Sequence, residues 1–289
     1  MSEKRVKTSA GAIIPTINSV YDSLSPAQKK IADFVLASPG ETAEMSVSDL
    51  SKATDSSDAS IIRFCRYIGF DGLKDFKLNL GIEIAKLDMD ESILDTCIEH
   101  DDPSNVVAMK LKSRLDNVIT ETISLLDFSD LDEVAKLIKH AGTVVTLGVG
   151  SSGITSLQAK HKFMRIGMNI DSCTDRHTMY MKTSLLKKGD VVIGITHSGT
   201  TEEVVESLKI AKENGATTVA ITHNPRSKVV KFADYLLVNG NKQSQLQGDS
   251  IGTKIAQLFV IDLIYSVLVQ ADMPDMMSKK SRTIKAVVK

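Results

Sequence analysis

Between about residue 143 and residue 238 the chain repeats one pattern: a short apolar run, a helical stretch, then another apolar run. The runs fall at residues 143–147, 168–173, 191–196, 218–222 and 235–238. A strand that is apolar at successive positions, and not only at every second one, must be covered on both faces. Parallel neighbours also need a crossover long enough to hold a helix. Together these constraints predict a doubly wound α/β domain, a five-stranded parallel sheet with helices on both sides. A last helix over residues 253–269 is apolar nearly all round, which predicts burial or a place in an oligomer interface.

The N-terminal part has a different period. Residues 15–85 read as consecutive short helices with no β-rich run. Ser25 followed by Pro26 opens a helix, Ile31, Phe34 and Val35 recur at helical spacing, and Pro39 with Gly40 reads as its end. Two further helices, over residues 47–53 and 57–67, are joined by a tight turn at Asp55 and Ser56, which is helix-turn-helix spacing. Gly69 closes the second of them, and Leu73, Phe76 and Leu80 continue as a fourth helix. Residues 86–104 are acidic and aperiodic, as a linker is. From residue 105 to 126, Val106, Met109, Leu111, Leu115, Val118, Ile119 and Ile123 predict an amphipathic helix leading into the second domain. The expected organisation is an all-α helix-turn-helix domain over residues 1–85, a linker over 86–104 and the α/β domain over 105–289.

Within the helix over 57–67, Ile61, Phe64, Cys65 and Ile68 share one face while Ser60, Arg63 and Arg66 project elsewhere. A helix laid in the major groove of DNA needs that division. Ser57 can cap its N-terminus, and the small residues Ser56, Ala59 and Ser60 permit close approach to bases and phosphates. Arg63 and Arg66, with Lys74 and Lys77 on the following helix, make a local positive cluster diluted by Asp71 and Asp75. That local cluster matters because the whole chain, at a formal net charge of -1, is not a basic protein.

Other classes are set aside by composition. The N-terminus lacks the apolar core of a secretory signal, and no later window approaches ~18 uncharged apolar residues, so a cytoplasmic protein without a membrane partner is expected. Cys65, Cys97 and Cys173 are far apart and read as reduced structural thiols. The histidines show no metal-ligand spacing, and neither a metal nor a cofactor is expected.

Two loops carry the chemistry of the second domain. Gly148, Val149, Gly150, Ser151, Ser152 and Gly153 follow the first strand and open a helix, so backbone amides and serine hydroxyls can surround an anion there. The same residues satisfy G-x-G-x-x-G, and Asp171 near the end of the second strand stands where a ribose-binding acid would stand in a dinucleotide site. A second loop after the third strand, Thr196, His197, Ser198, Gly199, Thr200 and Thr201, is again hydroxyl-rich and glycine-bearing. Two such loops on one sheet edge would converge on a single compact phosphate, which favours a phosphorylated small molecule over a dinucleotide.

At these residues the chain resembles the RpiR family of bacterial regulators, in which a helix-turn-helix domain precedes a sugar isomerase (SIS) domain of flavodoxin-like fold. The stretches AKLIKHAGTVVTLGVGSSG, QAKHKFMRIGMNIDSCTDRHTMYMKTSLLKKGDVVIGITHSGTTEEVVESLKIAKENGA and ITHNPRSKVVKFADYLL carry the resemblance, which covers nearly the whole chain. It implies a homodimer or homotetramer that binds palindromic operator DNA, as a repressor of carbohydrate genes, and responds to a sugar phosphate. By matching positions, Ser152, Ser198, Thr200 and Thr201 would hold the phosphate. Gly150, Ser151 and Gly199 would allow close approach, and His177 would touch sugar hydroxyls. His161 and His223 read as structural. The related isomerases use a glutamate near the start of the last helix as acid and base. Residues 239–253 read NGNKQSQLQGDSIGT, with Asp249 as their only carboxylate, and this departure argues against catalysis. The alternative is a sugar-phosphate isomerase with an accessory helical domain, using His177 or Asp249 as its base.

Overall fold

The computed structural model describes residues 12–88, 98–241 and 251–288, and its contacts divide the chain into two units between Leu125 and Leu126. The first unit contains α1 (Ile13–Val20), a 3-10 turn (Tyr21–Ser23), α2 (Pro26–Ala37), α3 (Pro39–Glu44), α4 (Val47–Ala53), α5 (Asp58–Tyr67), α6 (Leu73–Asp88) and α7 (Ser104–Leu125). Its helices start where sequence chemistry says they should. Ser25 forms a capping box with Gln28 ahead of Pro26, Ser46 forms one with Asp49, and the Ser57 hydroxyl accepts from the Ser60 amide. Ile61, Phe64, Cys65 and Ile68, the face expected to be apolar, are all buried together with Ile31, Val35, Leu50 and Leu80. Phe76 sits at the centre of this core, with Phe64 and Phe70 edge-on to it at ring distances of 6.2 and 5.8 Å.

Three features of this unit differ from the sequence reading. Helix α1 was not anticipated. Its N-terminus is satisfied from 70 residues away: the buried Glu83 carboxylate of α6 accepts the Ile13 amide at 2.5 Å and the Ile14 amide at 3.2 Å. Pro39 ends α2 but also opens α3, because proline is well tolerated in the first turn of a helix. Helix α7 groups with the first unit, where it packs against α1, whereas the sequence reading starts the second domain at residue 105.

The second unit contains α8 (Phe128–His140), β1 (Val144–Leu147), α9 (Ser151–Met164), β2 (Ile170–Cys173), α10 (Arg176–Ser184), β3 (Val191–Ile195), α11 (Glu202–Glu213), β4 (Thr217–Thr222), a 3-10 turn (Lys228–Phe232), β5 (Tyr235–Val238), α12 (Ile251–Ala271) and α13 (Met273–Val287). All five strands are parallel, in the order β2-β1-β3-β4-β5. Both sheet faces are buried, as the continuous apolar runs require. Ile193, Ile195, Val219, Ile221 and Leu237 point into one core with residues of α8, α9 and α12, while Val192 and Ala220 point into the other with residues of α11. Helix α12 is long and apolar enough by composition to cross a membrane. Its Ala256, Val260, Ile261 and Ile264 nevertheless lie in the first of these cores, and its buried Gln257 is hydrogen-bonded on both sides, so it behaves as the core helix expected from residues 253–269. Helix α13, which opens with Pro274 in its first turn, was not foreseen.

Candidate functional site

The turn between α4 and α5 is held by local bonds. The Thr54 hydroxyl donates to the Leu50 carbonyl, Asp55 takes a positive φ of 47°, and Lys30 pairs with Asp55 at 2.8 Å. Helix α5 therefore leaves the turn with Ser57 and Ala59 exposed at its N-terminal end and Arg63 and Arg66 exposed further along. Residues 59, 63 and 66 recur at the spacing of one helical face. The Arg63 guanidinium donates to the Ser60 hydroxyl at 3.0 Å, and Arg66 leans on the Asp71 carbonyl at 3.3 Å. Lys74 is exposed at the start of α6. Lys77 lies apart from this set, since its ammonium donates to the Met45 carbonyl at 2.7 Å.

The second constellation follows from strand order. Chain direction across the sheet reverses between β1 and β3, which are neighbours, and crevices for ligands open at the carboxyl ends of such a pair. The two sequence-predicted loops occupy these ends. Gly150 adopts φ +59° as the N-cap of α9, and Thr201 is the N-cap of α11; neither helix has a side-chain cap. In the same unit α8 and α10 are capped by Asp127 and Asp175, carboxylates that would repel an anion. Uncapped N-termini present amides and a partial positive charge.

The individual side chains are differently engaged. Ser151 Oγ is buried with no hydrogen-bond partner among the described residues. Ser152 Oγ accepts from the Gln257 amide at 3.0 Å, and Gln257 in turn accepts from Thr155 at 3.2 Å, tying the first turn of α9 to α12. In the second turn the Thr196 and Thr201 hydroxyls meet at 2.9 Å, while exposed Ser198 accepts from the Thr200 amide and hydroxyl at 3.2 and 3.0 Å. Gly199 has φ +67°, and a Cβ on it would fall 1.9 Å from Ser227 Oγ, so glycine is required there. His177 stands exposed on the first turn of α10, beyond β2, with β1 between it and β3.

Asp171 is engaged within the fold. Its carboxylate is held by Lys160 at 2.8 Å and Lys182 at 3.0 Å, and these hydrogen bonds push its pKa far below the usual carboxylate range. A ribose hydroxyl would have to compete with two ammonium groups for this acid, which weighs against the dinucleotide reading.

Next to the second turn the structure shows what sequence reading passed over. His197 stacks on His223, with ring centres 5.1 Å apart and planes 18° apart. Burial, aided by the neighbouring imidazole, pushes the pKa of His197 down to about 3, so its ring is neutral at ordinary pH. His223 is buried as a structural residue would be, but its Nε2 has no partner among the described residues. His161, also read as structural, is exposed on α9. Cys65 and Cys173 are buried free thiols, and burial pushes the Cys65 thiol up to about 12, which makes it inert. Cys97 and Asp249 lie outside the described residues.

Comparison with known proteins agrees with this geometry. Residues 11–87 match the family described as "Helix-turn-helix domain, rpiR family", and residues 137–267 match the SIS domain. An HTH-type transcriptional regulator of Haemophilus influenzae is 50% identical over 280 residues, covering 96% of this chain and 97% of its own. The HTH-type transcriptional regulator RpiR of Escherichia coli K12 is 26% identical over 258 residues, covering 89% of this chain and 86% of its own. Among solved structures, the Vibrio vulnificus NanR protein complexed with ManNAc-6P superposes with a TM-score of 0.61 at 21% identity, covering 95% of this chain and 98% of that one. The sugar isomerase domain of an RpiR transcription factor from Sphaerobacter thermophilus gives 0.56 at 17% identity, over 62% of this chain and 98% of that one. The first unit thus carries the helix-turn-helix and the second the SIS fold, and the chain belongs to the rpiR family of HTH-type transcriptional regulators.

Proposed function

We propose that this regulator binds operator DNA through α5, and that a phosphorylated sugar held between the two turns of the second unit alters that binding. The observation that carries the reading is the pairing of two glycine- and hydroxyl-bearing turns on neighbouring strands, each leading into a helix without a side-chain cap. A phosphoryl group there would meet Gly150, Ser151 and Ser152 on one side and Ser198, Gly199, Thr200 and Thr201 on the other. His177 would approach the sugar from the β2 side. The fold-level likeness to a protein complexed with ManNAc-6P supports the ligand class.

On DNA, the small residues Ser57, Ala59 and Ser60 would lie close to the backbone, with Arg63 aimed at base edges and Arg66 and Lys74 at phosphates. A palindromic operator calls for at least a homodimer. The role we favour is a repressor whose operator affinity falls when ligand binds, which requires the ligand to prefer one of two arrangements of the protein. We read the chain as a regulator and not an isomerase, because its close relatives are named as regulators.

The test combines a thermal-shift panel of ribose 5-phosphate, glucose 6-phosphate, N-acetylmannosamine 6-phosphate and NAD with operator gel shifts at saturating ligand. A sugar phosphate should raise the melting temperature, and Ser198→Ala should reduce that shift while leaving operator affinity without ligand unchanged. Stabilisation by NAD alone, or a shift indifferent to Ser198→Ala, refutes the assignment of the turns.

A further inference from the structure

Three residues at the ends of adjacent strands form a polar row. His197 follows β3, His223 follows β4 and Asn239 follows β5, and the chains stay in register there: the His223 amide donates to the His197 carbonyl at 3.1 Å and the Asn239 amide to the Thr222 carbonyl at 3.0 Å. Ile195, Ile221 and Leu237, two residues earlier on each strand, point into the core beneath α8, α9 and α12. By strand alternation the row lies on that same face, where Gln257 of α12 reaches Ser152. The row begins beside exposed Ser198 and runs inward: His197 is partly exposed, His223 is 8% exposed and Asn239 is 0% exposed.

Each member carries a buried polar atom without a partner among the described residues: His197 Nδ1, His223 Nε2 and Asn239 Oδ1. Buried polar atoms are almost always satisfied, so three together on one edge point to a ligand. For His223 and Asn239 the polarity can be read from the bonds already made. His223 Nδ1 donates to the Asn239 carbonyl at 3.0 Å, and in the tautomer that this bond selects Nε2 offers a lone pair. The Asn239 amide nitrogen donates to the Gly240 carbonyl at 2.9 Å, which leaves Oδ1 as an acceptor. Acceptors do not bind phosphate oxygens; they bind hydroxyl hydrogens.

We propose that His223 and Asn239, in a row with His197 at the ends of β3, β4 and β5, accept hydrogen bonds from hydroxyl groups of the effector, and so select among phosphorylated polyols. The inference rests on the placement of phosphate in the two turns. The turns supply donors and the row supplies acceptors, which is the complement of a sugar phosphate: an anionic end and a hydroxylated body.

The experiment titrates the full chain by calorimetry with inorganic phosphate, ribose 5-phosphate, glucose 6-phosphate and N-acetylmannosamine 6-phosphate. The tightest sugar phosphate is then followed by its monodeoxy and monofluoro analogues, fluorine keeping the size of a hydroxyl without its hydrogen. At one position at least, both replacements should weaken binding about tenfold. His223→Phe, which preserves a ring against His197, should weaken the parent compound about tenfold, show no further loss with that analogue, and bind inorganic phosphate as before. If every analogue binds within twofold of its parent, or no sugar phosphate binds better than inorganic phosphate, the row is overturned while the turns stand. If His223→Phe weakens inorganic phosphate as much as the sugar, the row is likewise overturned. If no phosphorylated probe binds, both assignments fall. The analogue series is read on the unaltered protein, so it decides the question even where His223→Phe does not fold.

Discussion

Replacing Gly199 with alanine tests the second turn most directly, because the structure sets two separate costs. The first is conformational: at φ +67° a residue with a Cβ pays about 1–2 kcal/mol for the left-handed region. The second is steric: the new methyl would lie 1.9 Å from Ser227 Oγ, 2.4 Å from Ser227 Cβ and 2.9 Å from Thr222 Oγ1. Ser227 is buried and its hydroxyl donates to the Asn224 carbonyl at 2.7 Å, so moving it aside sacrifices a hydrogen bond of about 0.5–1.5 kcal/mol. Gly199→Ala should therefore destabilise the protein by roughly 1.5–3.5 kcal/mol in urea titrations followed by circular dichroism. The costs can be separated with Ser227→Gly, which removes both clashing Ser227 atoms. In that background the alanine should cost the conformational part, about 1–2 kcal/mol, plus what the remaining contact with Thr222 Oγ1 at 2.9 Å exacts. A Gly199→Ala protein within about 0.5 kcal/mol of wild type, or an unchanged penalty in the Ser227→Gly background, would refute the reasoning.

Further expectations follow from other contacts. Arg63→Ala should weaken operator binding in gel shifts by about 1–3 kcal/mol if the guanidinium reads a base, whereas Lys77→Met should cost less because the Met45 carbonyl holds that half-buried ammonium against α3 and α4. Asp171→Asn removes the partner of Lys160 and Lys182, and the folded pKa of Asp171 is depressed, so its contribution is present above about pH 4 and lost as pH falls. The melting-temperature gap between Asp171→Asn and wild type should accordingly narrow from pH 7 towards pH 3, and a gap that widens would contradict the assignment. Phe64→Ala, at the centre of the helical core, should cost about 3–5 kcal/mol in urea unfolding.

What the sequence made legible is local chemistry. Five apolar runs placed five strands to within a residue or two, because a strand covered on both faces has few other ways to be written. Likewise, Ile61, Phe64, Cys65 and Ile68 announced their buried face by spacing alone. What escaped depends on distant partners. Helix α1 begins against a carboxylate on α6, and α7 joins the first unit through α1, so missing one displaced the other. Pro39 permits both a stop and a start, and only the geometry around it chooses. At the candidate site the two turns were visible as composition. The row of His197, His223 and Asn239 was not, since three residues spread over some 40 positions become neighbours only through the order and register of β3, β4 and β5.

The grip of Glu83 on α1 makes the opening of that helix a matter of charge as well as packing. Deleting residues through Ile14 would take two amide donors from a carboxylate buried in the helical core, at a cost in stability beyond the lost packing. Extensions ahead of Ala12 leave those donors in place. Trimming into α1 is therefore a charge perturbation of α6, the helix that follows α5, as well as a loss of packing.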